Sequence, residues 1–195
     1  MGDFLRVLKD DHARTTKMMP RFEEAVAELS GGSFVGAQAL VNYVTEEVVE
    51  RHFKLEEDVL FPAIERMLKN YLPKEEPIRM LKLEHMAIAR TVDEMRDAMM
   101  RADLKTASEK GEYLLSLLRQ HIFREENGPF AMAEKYLNDE EKAKIEASLK
   151  SAGPRPRPPS SARRTYTRRR LWREGPGSVE RLRVVACCSV TGQRP

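Results

Sequence analysis

The chain has 195 residues and a net charge of +3, and charged residues make up 33% of it. This length suits one domain, or one domain with a tail, and the mixture of charges with Leu, Ala, Val and Met is typical of helices in water. No apolar run reaches the roughly 18 residues that a membrane span needs, and the N-terminus lacks the pattern of a signal peptide. We therefore expect a cytoplasmic protein. The adjacent Cys187 and Cys188 predict no disulfide framework.

The charge is divided unevenly along the chain. Residues 151–195 contain 11 Arg and two Glu, which leaves residues 1–150 with 23 of the 34 basic and 29 of the 31 acidic side chains. We place a domain boundary near residue 151, where a proline-rich stretch begins, and predict a disordered basic tail beyond it. The tail arginines could bind nucleic acid or an anionic membrane surface, or the segment could be translated in an altered frame. A tail without a function of its own is the preferred interpretation.

The first half of the domain predicts two long helices. Apolar residues and His12 recur at steps of three and four over residues 3–29, which indicates helix 1. Pro20 predicts a kink or a break within this helix. A second helix is predicted over about residues 34–69, with Ser33 as its N-cap.

The second half of the domain repeats this pattern. Helix 3 is predicted from about residue 75 to 99 and helix 4 from about residue 104 to 127. Gly128-Pro129 should break or sharply bend helix 4. A capping box of Asn138 and Glu141 predicts a short last helix over residues 139–150. Four long amphipathic segments with short turns predict an all-α fold, an antiparallel up-down four-helix bundle with a short C-terminal helix.

The chain has four histidines, and each lies on the apolar stripe of a different predicted helix. Two of them are followed four residues later by a glutamate, and residues four apart lie on the same face of a helix. The candidate metal ligands are His12, His52, Glu56, His85, His121 and Glu125.

A metal ion explains these residues better than a polar core does. A single histidine on an apolar face is more often a hydrogen-bonded core residue than a ligand. A buried carboxylate without a partner, however, costs several kcal/mol, and no Lys or Arg shares the stripe of Glu56 or Glu125. Nitrogen and oxygen ligands suit iron, manganese or zinc, and six ligands are too many for one tetrahedral zinc. They fit two ions bridged by two carboxylates.

These motifs resemble the hemerythrin-like, or HHE cation-binding, domain over residues 1–150. The motifs that carry the resemblance are Lys9-Asp10-Asp11-His12, the segment from His52 to Pro62, Leu83-Glu84-His85, and the segment from His121 to Asn127. The resemblance implies a four-helix bundle that holds a non-haem di-iron centre, with the four histidines as terminal ligands and the two glutamates as bridges. Two iron ions are then the expected cofactor, and manganese or zinc is less suited.

The chain departs from this family pattern at two places. Oxygen-carrying members have a second histidine four residues after the histidine of helix 3, where this chain has Ala89. The iron nearest that position should have an open site, or should bind water or another carboxylate. The family usually has Leu-Phe-Pro after the second glutamate motif, where this chain has Gly128-Pro129-Phe130-Ala131. Three acids one position off the ligand face are expected to face solvent or to support the ligands from outside: Glu57, Glu84 and Glu126.

The resemblance implies a protein that binds or senses dioxygen or a related small ligand, or that handles iron. The alternative is an enzyme that acts on peroxide or nitric oxide at the same open site. Reversible binding and turnover use the same ligands, so the sequence leaves open whether the protein is an enzyme. A third interpretation, a metal-free helical interaction module, is disfavoured by the two buried carboxylates.

Overall fold

The computed structural model describes residues 3–69 and 76–152, and within these ranges nearly every residue is helical and none lies in a strand. The four long helical segments are α1 (Arg6–Glu28), a continuous helix over residues 35–68, α5 (Glu76–Met100) and α6 (Leu104–Glu125). No described helix is both long enough and apolar enough to cross a membrane. The predicted basic tail lies outside the described residues, apart from its first two positions.

The second long helix alternates between α-helical and π-helical turns. Its parts are α2 (Val35–Tyr43), π1 (Val44–His52), α3 (Phe53–Leu55), π2 (Glu56–Leu60) and α4 (Phe61–Leu68). In a π turn each N–H donates to the carbonyl five residues earlier, which widens the helix, and such turns often occur at functional sites. Here π1 ends at His52 and π2 begins at Glu56, so the widened turns flank the first His-x-x-x-Glu motif.

A third π segment joins α6 to the helices that follow. π3 (Glu126–Phe130) continues α6 into α7 (Ala131–Tyr136), and α8 (Asp139–Ser151) completes the described chain. The predicted break at Gly128-Pro129 is therefore wrong. Pro129 lies inside π3, where a wider turn gives the proline ring room beside the preceding turn.

Two of the other local predictions also need correction. α1 runs through Pro20 without interruption, so of the predicted kink or break the break is wrong, and the kink stays a prediction. Ser33 does not cap the second helix: Phe34 occupies the N-cap position and no side chain caps the helix. The Oγ of Ser33 donates instead to Oε2 of Glu28 at 3.3 Å. The capping box of the last helix is confirmed: the N–H of Glu141 donates to Oδ1 of Asn138 at 2.9 Å, and the N–H of Asn138 donates to Oε2 of Glu141 at 3.2 Å.

The helices pack in a bundle-like arrangement around two apolar clusters. α5 packs extensively on α6, and α1 packs on α2 and α6. The first apolar cluster comprises buried residues of four stretches: 19–29, 37–53, 88–99 and 107–118. The second apolar cluster comprises buried residues of the stretches 4–8, 55–68, 78–81 and 130–149. His12, His85 and His121 fall between the two clusters along their helices, and His52 directly precedes Phe53, the last residue of the first cluster on its helix. The clusters therefore enclose a polar layer.

Candidate metal centre

Six buried side chains meet in the layer between the two apolar clusters, and none of them is more than 4% exposed. They are His12, His52, Glu56, His85, His121 and Glu125. Their ligand atoms form two groups, and within each group all the atoms lie within 4.8 Å of one another. One group contains His12 and His52, the other contains His85 and His121, and both contain the two glutamates. The structure therefore brings together every side chain that the sequence nominated.

Each glutamate lies between histidines of different helices. The distance from Glu56 Oε1 to Nε2 of His52 is 3.2 Å, and from its Oε2 to Nε2 of His85 it is 3.4 Å. Oε2 of Glu125 lies 3.3 Å from Nε2 of both His121 and His12. Oε1 of Glu125 also lies 3.8 Å from Nε2 of His85. Each carboxylate thus has one neighbouring imidazole from its own helix and at least one from another. This is the arrangement that a carboxylate bridging two ions requires.

The donor atoms approach one another closely, but most of them are not hydrogen-bonded. In the part of the chain that the structure describes, none of the four carboxylate oxygens of Glu56 and Glu125 has a hydrogen-bond partner, and neither has Nε2 of His85 or His121. These atoms converge on shared points instead of aligning with each other. Unsatisfied buried carboxylates are costly, and a cation held by nitrogen and oxygen donors would satisfy them. The residues present therefore fit a metal ion.

The pKa values of His52, His85 and Glu56 are shifted because buried imidazoles and carboxylates lie next to one another in the layer. Burial lowers the pKa of His52, but the neighbouring Glu56 carboxylate and Asp11 outweigh it and raise that pKa to about 10. Burial also opposes the charge on His85, yet the carboxylates of Glu125 and Glu56 raise its pKa to about 11. Burial alone would raise the pKa of Glu56, but His52 and His85 hold it well below its usual range. Without a metal, protons on these imidazoles balance the carboxylates, and metal binding would displace them.

Each histidine also directs its second ring nitrogen, Nδ1, at a carboxylate outside the ligand set. The pairs are His12 with Glu126 at 3.1 Å, His52 with Asp11 at 3.4 Å, His85 with Glu57 at 2.7 Å and His121 with Glu84 at 3.2 Å. An ionised carboxylate only accepts hydrogen bonds, so Nδ1 carries the hydrogen, and in the neutral imidazole that binds a metal Nε2 presents its lone pair to the layer. Nε2 of His12 lies 3.0 Å from Nε2 of His52, and two facing lone pairs at this distance need a cation or a proton between them.

The sequence analysis expected three of these outer carboxylates but missed the fourth. Glu57, Glu84 and Glu126 lie off the ligand face and support the histidines from outside, one of the two expected roles. The sequence places Asp11 in the motif around His12 but does not predict this role, although Asp11 is buried and contacts His52. The available signal was its position, because each of the other three acids also adjoins a candidate ligand in the sequence.

Two phenylalanines fix the planes of the imidazole rings. Phe53 stacks on His85 with ring centroids 3.7 Å apart and planes inclined by 4°. Phe130 stacks on His12 at 5.2 Å and 3°. Phe130 belongs to the segment in which the chain departs from the family pattern, so the reshaped end of α6 still places a ring against the site. Both rings are buried, and they keep water from these faces of the imidazoles.

A small cavity adjoins one side of the layer. Its lining includes His12, His52, His121, Thr15, Tyr43 and Val48. Its volume is about 10 Å³, which is close to the room that one water-sized molecule needs. Ala89, where an open position was expected, is half-buried and is not among the lining residues. This cavity offers room for a very small molecule beside His12 and His52.

Comparison with known proteins supports a metal-binding site. The family model described as the hemerythrin HHE cation binding domain matches residues 3–133. The matched range contains the four histidines and both buried glutamates. Neither the curated proteins nor the solved structures that were compared with the chain gave a match.

Proposed function

The chain belongs to the hemerythrin HHE cation-binding family, and from that premise we propose that it is a non-haem di-iron protein that binds or senses dioxygen or a related small ligand, or that handles iron. The observation that carries the proposal is the pair of overlapping donor groups in the buried layer. His12 and His52 would hold one ion, and His85 and His121 would hold the other. Glu56 and Glu125 occur in both groups and would bridge the ions.

The proposal includes an antiparallel up-down order for the four long helices. Its support is the order in which each helix passes the two apolar clusters. α1 and α5 each lead from the second cluster, through a histidine, to the first. The helix over residues 35–68, and α6 with its continuation π3, each lead from the first cluster to the second. Opposite directions in consecutive helices explain how histidines 33 to 40 residues apart reach one layer.

The residues around the layer would balance the charge of the metal ions and keep water away from them. Two iron ions would supply the redox and ligand-binding chemistry. The anionic bridges Glu56 and Glu125 would neutralise part of the positive charge, and the apolar clusters on either side exclude bulk water. The donor atoms alone admit manganese or zinc as well as iron, and family membership favours iron. The cavity beside His12 and His52 offers about the room of one water-sized molecule.

The cavity is also compatible with a second function, that of an enzyme that consumes peroxide or nitric oxide. Anaerobic loading with ferrous iron, followed by addition and removal of oxygen, separates the two functions. Absorption bands that appear with oxygen and disappear on its removal indicate reversible binding. Many equivalents of peroxide or nitric oxide consumed per chain indicate catalysis.

The control for this experiment is the Glu56→Ala variant, which should show neither behaviour. Iron that binds without responding to oxygen, peroxide or nitric oxide would leave iron handling as the function. A protein that takes up no iron would contradict the whole proposal.

A further inference from the structure

We propose that Asp11, Glu57, Glu84 and Glu126 are positioning residues that form a closed ring of carboxylate–imidazole hydrogen bonds around the metal layer. Each acid orients the histidine of the next helix. The ring deepens the proposed metal-binding function and rests on it, because its purpose is to aim the Nε2 atoms at the ions.

The ring passes once around the four long helices in chain order. Asp11 of α1 accepts from His52, Glu57 of π2 accepts from His85, Glu84 of α5 accepts from His121, and Glu126 of π3 accepts from His12. Every helix therefore provides one acid to the next helix and receives one from the previous helix. The last helix provides its acid to the first, which closes the ring.

The sequence encodes this ring by a single-residue offset. Asp11 and Glu84 directly precede the isolated histidines, His12 and His85, and the other two acids directly follow the bridging glutamates. A step of one residue turns a helical side chain by about 100°. An acid next to an inward-facing ligand therefore points sideways toward a neighbouring helix. The chain thus contains two copies of one pattern, an acid-His pair followed by His-x-x-x-Glu-Glu.

The four acids are held in two different ways. Arg51 donates to Asp11 at 2.6 Å, and Arg124 donates to Glu84. No Lys or Arg among the described residues forms an ion pair with Glu57 or Glu126, whose side chains are 35% and 47% exposed. Removing an arginine-bound acid leaves a cation near the histidine, which opposes metal binding. We therefore expect a larger effect from Asp11 and Glu84 than from the other two.

The test follows the imidazole N–H groups of the zinc-loaded protein by NMR. The parent should show four Nδ1–H signals that exchange slowly with water. Asp11→Asn should change the signal of His52 and leave that of the adjacent His12 unchanged. Glu57→Gln should change the signal of His85 only. The affinity for zinc should fall by roughly 10- to 100-fold in Asp11→Ala and less in Asp11→Asn, because the amide oxygen can still accept.

The matched controls are the adjacent exposed acids, Asp10→Asn and Asp58→Asn. Both should retain all four signals and the parent's affinity. The ring is wrong if Asp11→Asn alters His12 instead of His52, or if the controls act like the ring variants. It is also wrong if the ring variants change neither signals nor affinity while the parent still binds two irons, in which case the proposed function survives. A parent chain that binds no metal would overturn both.

Discussion

The apolar clusters and the polar layer between them are equally buried, but they act on stability in opposite ways. The clusters contain fully buried side chains such as Leu114 and Ile64, and complete burial of one such side chain contributes roughly 1.5–3 kcal/mol. The layer contains two buried carboxylates whose oxygens have no hydrogen-bond partner among the described residues. Burying these carboxylates, together with the protonated imidazoles that balance them without a metal, costs free energy. The clusters therefore stabilise the fold, whereas the layer lowers the free energy of unfolding and provides a site for cations.

The largest expected effect comes from removing a shared ligand of the layer. Glu56→Ala and Glu125→Ala should each lower the bound metal from about two ions per chain to less than one, because both glutamates belong to both donor groups. Elemental analysis after anaerobic loading with ferrous iron measures this. Leu114→Ala, in the first apolar cluster, is the control and should keep the parent's metal content. If both glutamate variants bind metal as the parent does, the layer is not the site.

The second effect separates fold stability from metal binding. Leu114→Ala should lower the free energy of unfolding by about 2–5 kcal/mol in the metal-loaded and the chelated protein alike. Chelation of the parent should lower its unfolding temperature, because a ligand that binds only the folded state stabilises it. Chelation should leave the unfolding temperature of Glu56→Ala nearly unchanged. Thermal unfolding followed by circular dichroism tests all three expectations. If chelation lowered the unfolding temperatures of the parent and of Glu56→Ala equally, the metal would not bind through Glu56.

A smaller effect is expected where two helices approach closely in the first cluster. A Cβ atom at Gly111 would lie 2.6 Å from Cγ2 and 3.0 Å from Cγ1 of Val26. Gly111→Ala should therefore cost about 1–3 kcal/mol of stability through overpacking, with the metal content unchanged. Gly31→Ala is the matched control, because a Cβ there meets nothing within 4 Å. Denaturant unfolding of the two variants measures the difference, and equal stabilities would show that α1 and α6 can separate without cost.

The smallest effect is expected at the N-terminus of α8, a helix that contains none of the candidate ligands. Asn138→Ala removes one of the two hydrogen bonds of the capping box and should cost about 1 kcal/mol. Metal content and any oxygen-dependent absorption should be those of the parent. Loss of metal in this variant would mean that the second apolar cluster, which α8 joins through Ile145 and Leu149, controls the layer.

Much of the fold and the six candidate ligands could be predicted because both depend on regular spacing. Apolar steps of three and four give the helices, and a His-x-x-x-Glu pair stays on one face. The π turns around His52 and Glu56 were not predictable in this way, because they depend on which carbonyl each N–H selects and not on residue type. Pro20 and Pro129 were overestimated as helix breakers for a related reason: packing and wider turns can accommodate a proline.

The contacts between helices were the hardest part of the site to foresee. Asp11 of α1 contacts His52 of the next long helix, and nothing in the sequence around Asp11 identifies that partner. The cavity beside His12 is lined by residues of several helical segments, so its place depends on how they pack. The open coordination position expected beside Ala89 is a separate feature and stays a prediction. Such features follow from tertiary packing, and the spacing of residues in a single sequence does not predict them.

The most direct test of the central claim is the number and position of metal ions in the iron-loaded protein, determined by anomalous diffraction at the iron edge together with elemental analysis. The account predicts two ions per chain in the layer between the apolar clusters. One ion should lie beside His12 and His52 and the other beside His85 and His121, with Glu56 and Glu125 contacting both. A single ion, or ions bound outside this layer, would contradict it.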